Sequence, residues 1–193
     1  MNTKAMINQL TVVLASAVVA AFTGCGGELH ESAAPVQLVI TNTQDIFRID
    51  LAGGTGCDQN LGTIEMRAVV KNASTSDNRF NDVRVTRYRV SYIRTDGGKQ
   101  VPSPFVRSID TLLTANGGVS GLTRFTIFEQ EAISLAPFAA LLPQNGGRDP
   151  ETGRTIVHMD VIVEIFGQTL AGENVSGSTR FPVDFCFNCS GCA

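Results

Sequence analysis

Residues 155–166 carry a period of two. Val157, Met159, Val161, Val163 and Ile165 share one parity, and His158, Asp160 and Glu164 share the other. A period of two sends successive side chains to opposite faces, so the segment reads as a strand with one dry face and one wet face. The same period recurs from Val36 onward. Val36, Leu38 and Ile40 alternate with Gln37, Val39 and Thr41, and Ile46–Leu51 follows as a second short run. At 63–71, Ile64, Met66, Ala68 and Val70 face one way, and Thr63, Glu65, Arg67 and Lys71 the other. Thr179, Phe181, Val183, Phe185 and Phe187 alternate to the end, and the turn between Gly167 and Asn174 makes a hairpin of this run and 155–166.

Residues 82–95 are longer and change phase. Val83 and Val85 share one parity, and Tyr88, Val90 and Tyr92 the opposite one. The switch near Thr86-Arg87 predicts a β-bulge or a change of partner sheet. Asp96-Gly97-Gly98 reads as a turn. Val101–Thr114 is extended but holds Pro102 and Pro104, which suits an edge strand. After a turn at Gly117-Gly118, Leu122–Phe128 reads as another strand. Residues 132–142 break the pattern: Ile133, Leu135, Phe138, Leu141 and Leu142 recur irregularly, and Pro137 suits a first helical turn. They are read as a short helix or buried loop. Polar turns fill 145–153.

About seven to eight strands separated by turns predict an all-β, antiparallel, immunoglobulin-like β-sandwich. Alternation, rather than solid apolar runs, argues against a parallel sheet. Arg87-Tyr88-Arg89-Val90-Ser91-Tyr92 resembles the third strand of fibronectin type III domains. The chain departs from that family in having no Trp, and in lacking the family's usual tyrosine around His158.

The first residues read as a targeting segment. Lys4 is followed by the apolar run Leu10–Phe22, a length that suits a signal-peptide core and is short for a membrane span of about 20 residues. Phe22-Thr23-Gly24-Cys25 resembles the lipobox of bacterial lipoproteins, with Phe22 and Thr23 in place of the commoner Leu and Ala or Ser. The resemblance implies cleavage between Gly24 and Cys25, and acylation of Cys25. Several buried acyl chains, at roughly 0.8 kcal/mol per methylene, make a lasting membrane anchor. Gly26 is not the aspartate that retains such proteins at the inner membrane of enteric bacteria, which tilts the expectation to the outer membrane. The expected organisation is a signal peptide at 1–24, a lipidated tether at 25–35 and one domain at 36–193.

Without Lys4, the only charge in the signal, 14 Lys and Arg face 18 Asp and Glu, a net of −4. The charges are mixed and form no basic stripe, which argues against a nucleic-acid partner. After Cys25 come Cys57, Cys186, Cys189 and Cys192. An even number in an exported chain suggests two disulfides, and four cysteines allow three pairings. The favoured pairing is Cys57–Cys186 with Cys189–Cys192. A zinc site of four thiolates and a Cys-x-x-Cys redox centre compete with it. The first needs reduced thiols and the second belongs in a βαβ setting, so neither metal nor cofactor is expected.

No catalytic residue is expected. His158 and Asp160 share a strand face but point in parallel, His30 lies in the tether, and no Gly-x-Ser-x-Gly elbow occurs. Gly53-Gly54-Thr55-Gly56 has no P-loop lysine and reads as a turn. Asp96 and Asp149 could serve a Ca²⁺ loop, but no ligand spacing supports one. The three Asn-x-Ser matches, at Asn72, Asn174 and Asn188, are read as chance. Three roles stay open. The favoured one is a non-enzymatic envelope module anchored through Cys25 and holding a protein partner. The others are a small-molecule, carbohydrate or metal binder working through 132–150, and a thiol redox protein.

Overall fold

A computed structural model describes residues 33–41, 47–52, 64–72, 78–122 and 125–189. They form eight strands in two sheets. The strands are β1 (Val36–Thr41), β2 (Phe47–Asp50), β3 (Ile64–Val70), β4 (Val83–Arg94), β5 (Phe105–Leu113), β6 (Ser120–Leu122), β7 (Ile156–Thr169) and β8 (Asn174–Cys186). One sheet has the order β1-β3-β6 and the other β2-β8-β7-β4-β5. Both contribute to one hydrophobic core.

The period of two is realised where it was cleanest. Val157, Met159, Val161, Val163 and Ile165 of β7 are fully buried, and the alternate residues reach solvent. β7 and β8 form the expected hairpin, with His158 opposite Asp184 and Gln168 opposite Asn174. In β3, Ile64, Met66, Ala68 and Val70 point inward.

The phase switch in β4 is a bulge. Its register against both β5 and β7 shifts between Val85 and Arg87. Thr86 and Arg87 both face out, so Val83, Val85, Tyr88, Val90 and Tyr92 all stay on the inner face. Gly167 lies opposite Val85 at this point. A Cβ there would stand 2.7 Å from the Arg84 carbonyl oxygen and 3.1 Å from the Val85 Cα, both backbone atoms that cannot swing aside. Gly167→Ala should therefore destabilise the domain by about 1–3 kcal/mol in urea unfolding. Gly118→Ala, with no atom within 4 Å of the new methyl, should stay within about 0.5 kcal/mol of the parent. Equal midpoints for the two variants would remove the steric argument.

Three expectations are corrected. The larger sheet is mixed, because β2 runs parallel to β8, from Phe47 opposite Val183 to Asp50 opposite Cys186. The two strands lie far apart in sequence, so no tight hairpin dictates their direction. β5 is an edge strand as expected, but begins after Pro102 and Pro104, since proline cannot donate to the ladder. β6 is described as Ser120–Leu122, and among the described residues 125–128 form no strand. Phe125, Ile127 and Phe128 are buried all the same. The Tyr92 hydroxyl donates to the Ile127 carbonyl at 2.7 Å, and the Tyr88 hydroxyl to the Thr126 carbonyl at 3.3 Å. Burial pushes both phenols above their ordinary pKa, Tyr92 strongly. The short helix or buried loop expected at 132–142 takes the form of two short 3₁₀ turns, Gln130–Ser134 at its start and Phe138–Leu141, and a third follows at Pro143–Asn145. Pro137 precedes the second of them, and Phe138 and Leu141 are buried.

Candidate functional site

β4 carries an inward parity at Tyr88, Val90 and Tyr92, and Arg94 continues it. A guanidinium in a buried phase needs carboxylates, and two converge on it. Arg94 Nε donates to Asp96 Oδ1 at 2.7 Å, and Nη2 to Asp96 Oδ2 at 2.9 Å and to Asp149 Oδ2 at 2.8 Å. All three side chains are at most 1 % exposed. Nη1 donates to the Gln100 carbonyl at 3.2 Å and lies 3.8 Å from Glu151. Glu151 in turn accepts the N–H groups of Lys99 and Gln100 at 2.7 and 2.9 Å.

The carboxylates accept further hydrogen bonds from their other sides. Asp96 accepts the N–H of Gly98 and that of His158, each at 3.1 Å. Asp149 accepts the Thr152 N–H at 3.0 Å and its hydroxyl at 2.7 Å, while its Oδ1 is buried without a partner. Burial alone would raise the Asp96 pKa, but Arg94 and the two N–H donors outweigh it and hold the carboxyl down at about 2. Asp149 is likewise held low, because Arg94 and Thr152 outweigh its burial. The two aspartates considered for a Ca²⁺ loop are thus brought together, but around a guanidinium that supplies the positive charge. The cluster ties the loop 95–100 to the loop 148–154.

The outer face of the larger sheet is a ladder of ion pairs. Arg89 Nε donates to Glu164 at 2.6 Å, Arg180 pairs with Asp160, and Arg84 holds Asp110 with two bonds of 2.8 Å. Arg87 lies over the Phe166 ring at 5.2 Å. His158 Nδ1 lies 2.6 Å from Asp184 Oδ1, and Arg48 reaches the same carboxylate at 3.7 Å. His158 and Asp160 therefore do not work together, as their parallel orientation implied. His158 and Asp184 have the geometry of a base and its orienter, but a hydrolase also needs a nucleophile on the other ring nitrogen. Among the described residues no hydroxyl or thiol makes that contact. Beside the bulge, a groove of about 700 Å³ is lined by Arg87, Phe166, Gln168, Glu173, Asn174 and Ser176, with Ala33 and Ala34 along one side.

At the end of β8, Cys186 is bonded to Cys189, with Cα atoms 5.9 Å apart. This replaces the favoured pairing of Cys186 with Cys57 and of Cys189 with Cys192. Three residues of separation, with Asn188 in the left-handed region at φ 53°, let the chain fold back on itself. Asp50 of β2 reaches this turn. Its Oδ1 accepts the Asn188 N–H at 2.8 Å and its Oδ2 the Cys189 N–H at 3.1 Å. Cys25, Cys57, Cys192, His30 and Gly53–Gly56 lie outside the described residues.

Asp50, Arg94 and Asp184 were not singled out from sequence. Arg94 had a signal in its parity. Asp184 needed the hairpin register, and Asp50 the parallel β2–β8 pairing. No protein-family model matches the chain, and no curated protein or solved structure matches it.

Proposed function

We propose that the chain is a lipid-anchored bacterial envelope protein, with a signal peptide at 1–24, acylated Cys25, a short tether and a non-enzymatic, immunoglobulin-like β-sandwich. The observation that carries the anchoring is Phe22-Thr23-Gly24-Cys25, placed directly after an apolar run of signal-peptide length. The ladder begins at Val36, so ten residues separate Cys25 from the first strand. Gly26 favours the outer membrane. The domain acts as a structural or protein-binding module, and nucleic acid is not its partner. Two features support a binding role over catalysis. The charged groups of the larger sheet are occupied with one another rather than converging on a reaction centre. Among the described residues, β5 pairs on one side only and presents Val106 and Leu112, 57 % and 56 % exposed. An open strand edge of this kind recruits partners by strand addition.

The test is Cys25→Ser in the host. The parent should take up a palmitate probe and sediment with membranes, and the variant should lose the label and leave the membrane fraction. Unchanged labelling and membrane retention would sink the anchoring proposal. A second reading, a binder of small polar ligands or carbohydrate, finds its support in the groove beside Arg87 and Phe166.

A further inference from the structure

We propose that the Cys186–Cys189 disulfide is a redox-controlled clasp on strand β2. β2 is four residues long and, among the described residues, lies at the edge of the larger sheet and pairs only with the last residues of β8. A ladder that short is a low-stability element unless something else holds it. Arg48 pairs with Asp184 at 3.7 Å and the Ala52 N–H donates to Asp50 Oδ1 at 2.9 Å, and the further polar contacts at the end of β2 meet the disulfide. Asp50 stands opposite Cys186 in register. The Leu51 N–H donates to the Cys186 carbonyl at 2.7 Å. Both oxygens of the Asp50 carboxylate accept N–H groups of the ring that the disulfide closes, those of Asn188 and Cys189.

The chemistry of that contact depends on the ring. β8 ends at Cys186, so residues 187–189 have no ladder to set their direction. The Sγ–Sγ bond turns them back, and the left-handed Asn188 aims two successive amides at one carboxylate. Successive N–H groups in such a turn form an anion-binding concavity, and bonds to a carboxylate are stronger than neutral ones. Here the anion is supplied by the neighbouring strand.

Opening the ring removes the concavity. A reductant with two thiols would break the Sγ–Sγ bond. Cys186 and Cys189 each gain an electron and a proton as free thiols, and the reductant's own two sulfurs join as a disulfide. Asp50 then loses these two donors and keeps the Ala52 N–H, and β2 is left with its short ladder, the Arg48–Asp184 pair and the burial of Ile49 and Leu51. Loosening of β2 uncovers the edge of β8 from Val183 to Cys186, which a further strand could occupy. The thiol chemistry of the surroundings would thus set whether this edge is covered.

Hydrogen exchange on the full chain tests the coupling, read on peptides covering 47–52 and, as a reference, 161–165 at the centre of β7. The double variant Cys186→Ser/Cys189→Ser removes this bond alone. Exchange of 47–52 should be at least about ten-fold faster in the variant than in the oxidised parent, the scale of a lost charge-assisted hydrogen bond, and 161–165 should not change. Unchanged exchange at 47–52 would overturn the proposal. So would equal acceleration at 161–165, because the bond would then hold the whole domain rather than one strand. Asp50→Ala, which keeps the bond, closes the cycle. On that background, reducing the protein with dithiothreitol should add little at 47–52, and a full additive effect would mean that Asp50 is not the link.

Discussion

Replacing Arg94 with methionine should lower the stability of the domain by about 3–5 kcal/mol at neutral pH. Removing one partner of a buried ion pair leaves the other charge uncompensated, and here two are left. Asp96 and Asp149 are both inaccessible to solvent and would keep only N–H and hydroxyl donors. The loops 95–100 and 148–154 would lose their common centre.

The pH dependence makes the test specific. In the parent, the Asp96 carboxyl lies at about 2, below its ordinary 3.8. A group whose folded pKa is depressed contributes stability above its unfolded value, and that contribution is lost as pH falls from near 4 toward 2. In Arg94→Met, burial is no longer opposed by the guanidinium, so the folded pKa values rise above the ordinary range. The folded variant then binds more protons than its unfolded chain, and its stability rises as pH falls through those values. The gap between parent and variant should narrow from pH 6 to pH 3, measured as urea midpoints. A constant gap would mean that Arg94 acts through its aliphatic stem alone.

Arg94 also shows what could be read from the chain and what could not. Its parity with Tyr88, Val90 and Tyr92 was visible, and an arginine at that place in the pattern announces buried acidic partners. Asp96 was near enough in sequence to suggest itself, but Asp149 lies 55 residues away and is delivered by a loop without periodicity. The strands with one wet face were legible for the same reason that they fold. A one-residue slip would turn Met159, Val161 and Val163 out to water, so pattern and register enforce each other. The bulge was legible too, because five apolar residues in two phases fit one inner face only if a residue is inserted. The direction of β2 was not legible. Alternation tells which face is buried and is silent about which strand lies alongside, so Asp50 and the Cys186–Cys189 turn could not be brought together on the page. The cysteine count allowed three pairings, and the choice rested on where the chain turns after β8.

The segment 125–142 lacks a strand period yet buries Phe125, Ile127, Phe128, Phe138 and Leu141, and Phe138 tests what holds it. Phe138 is fully buried in a 3₁₀ turn. Its ring meets Phe128 edge-on at 5.0 Å and Phe185 of β8 at 4.6 Å, and those two rings lie 5.5 Å apart. The described residues of the segment form no named strand, and they are held by these rings and by the hydroxyls of Tyr88 and Tyr92. Phe138→Ala should therefore cost about 3–5 kcal/mol, since the transfer loss is joined by a cavity among rigid neighbours. For a domain of this size that is a fall in Tm of roughly 6–20 °C. Leu135→Ala, on a side chain 58 % exposed in the same segment, should change stability by no more than about 0.5 kcal/mol. A small effect at Phe138 would show a segment that moves independently of the sheets, as a ligand-binding loop does. The expected large effect would make Phe138 and the rings around it part of the core, and would leave the groove at Arg87 and Phe166 and the edge at β5 as the surfaces open to a ligand.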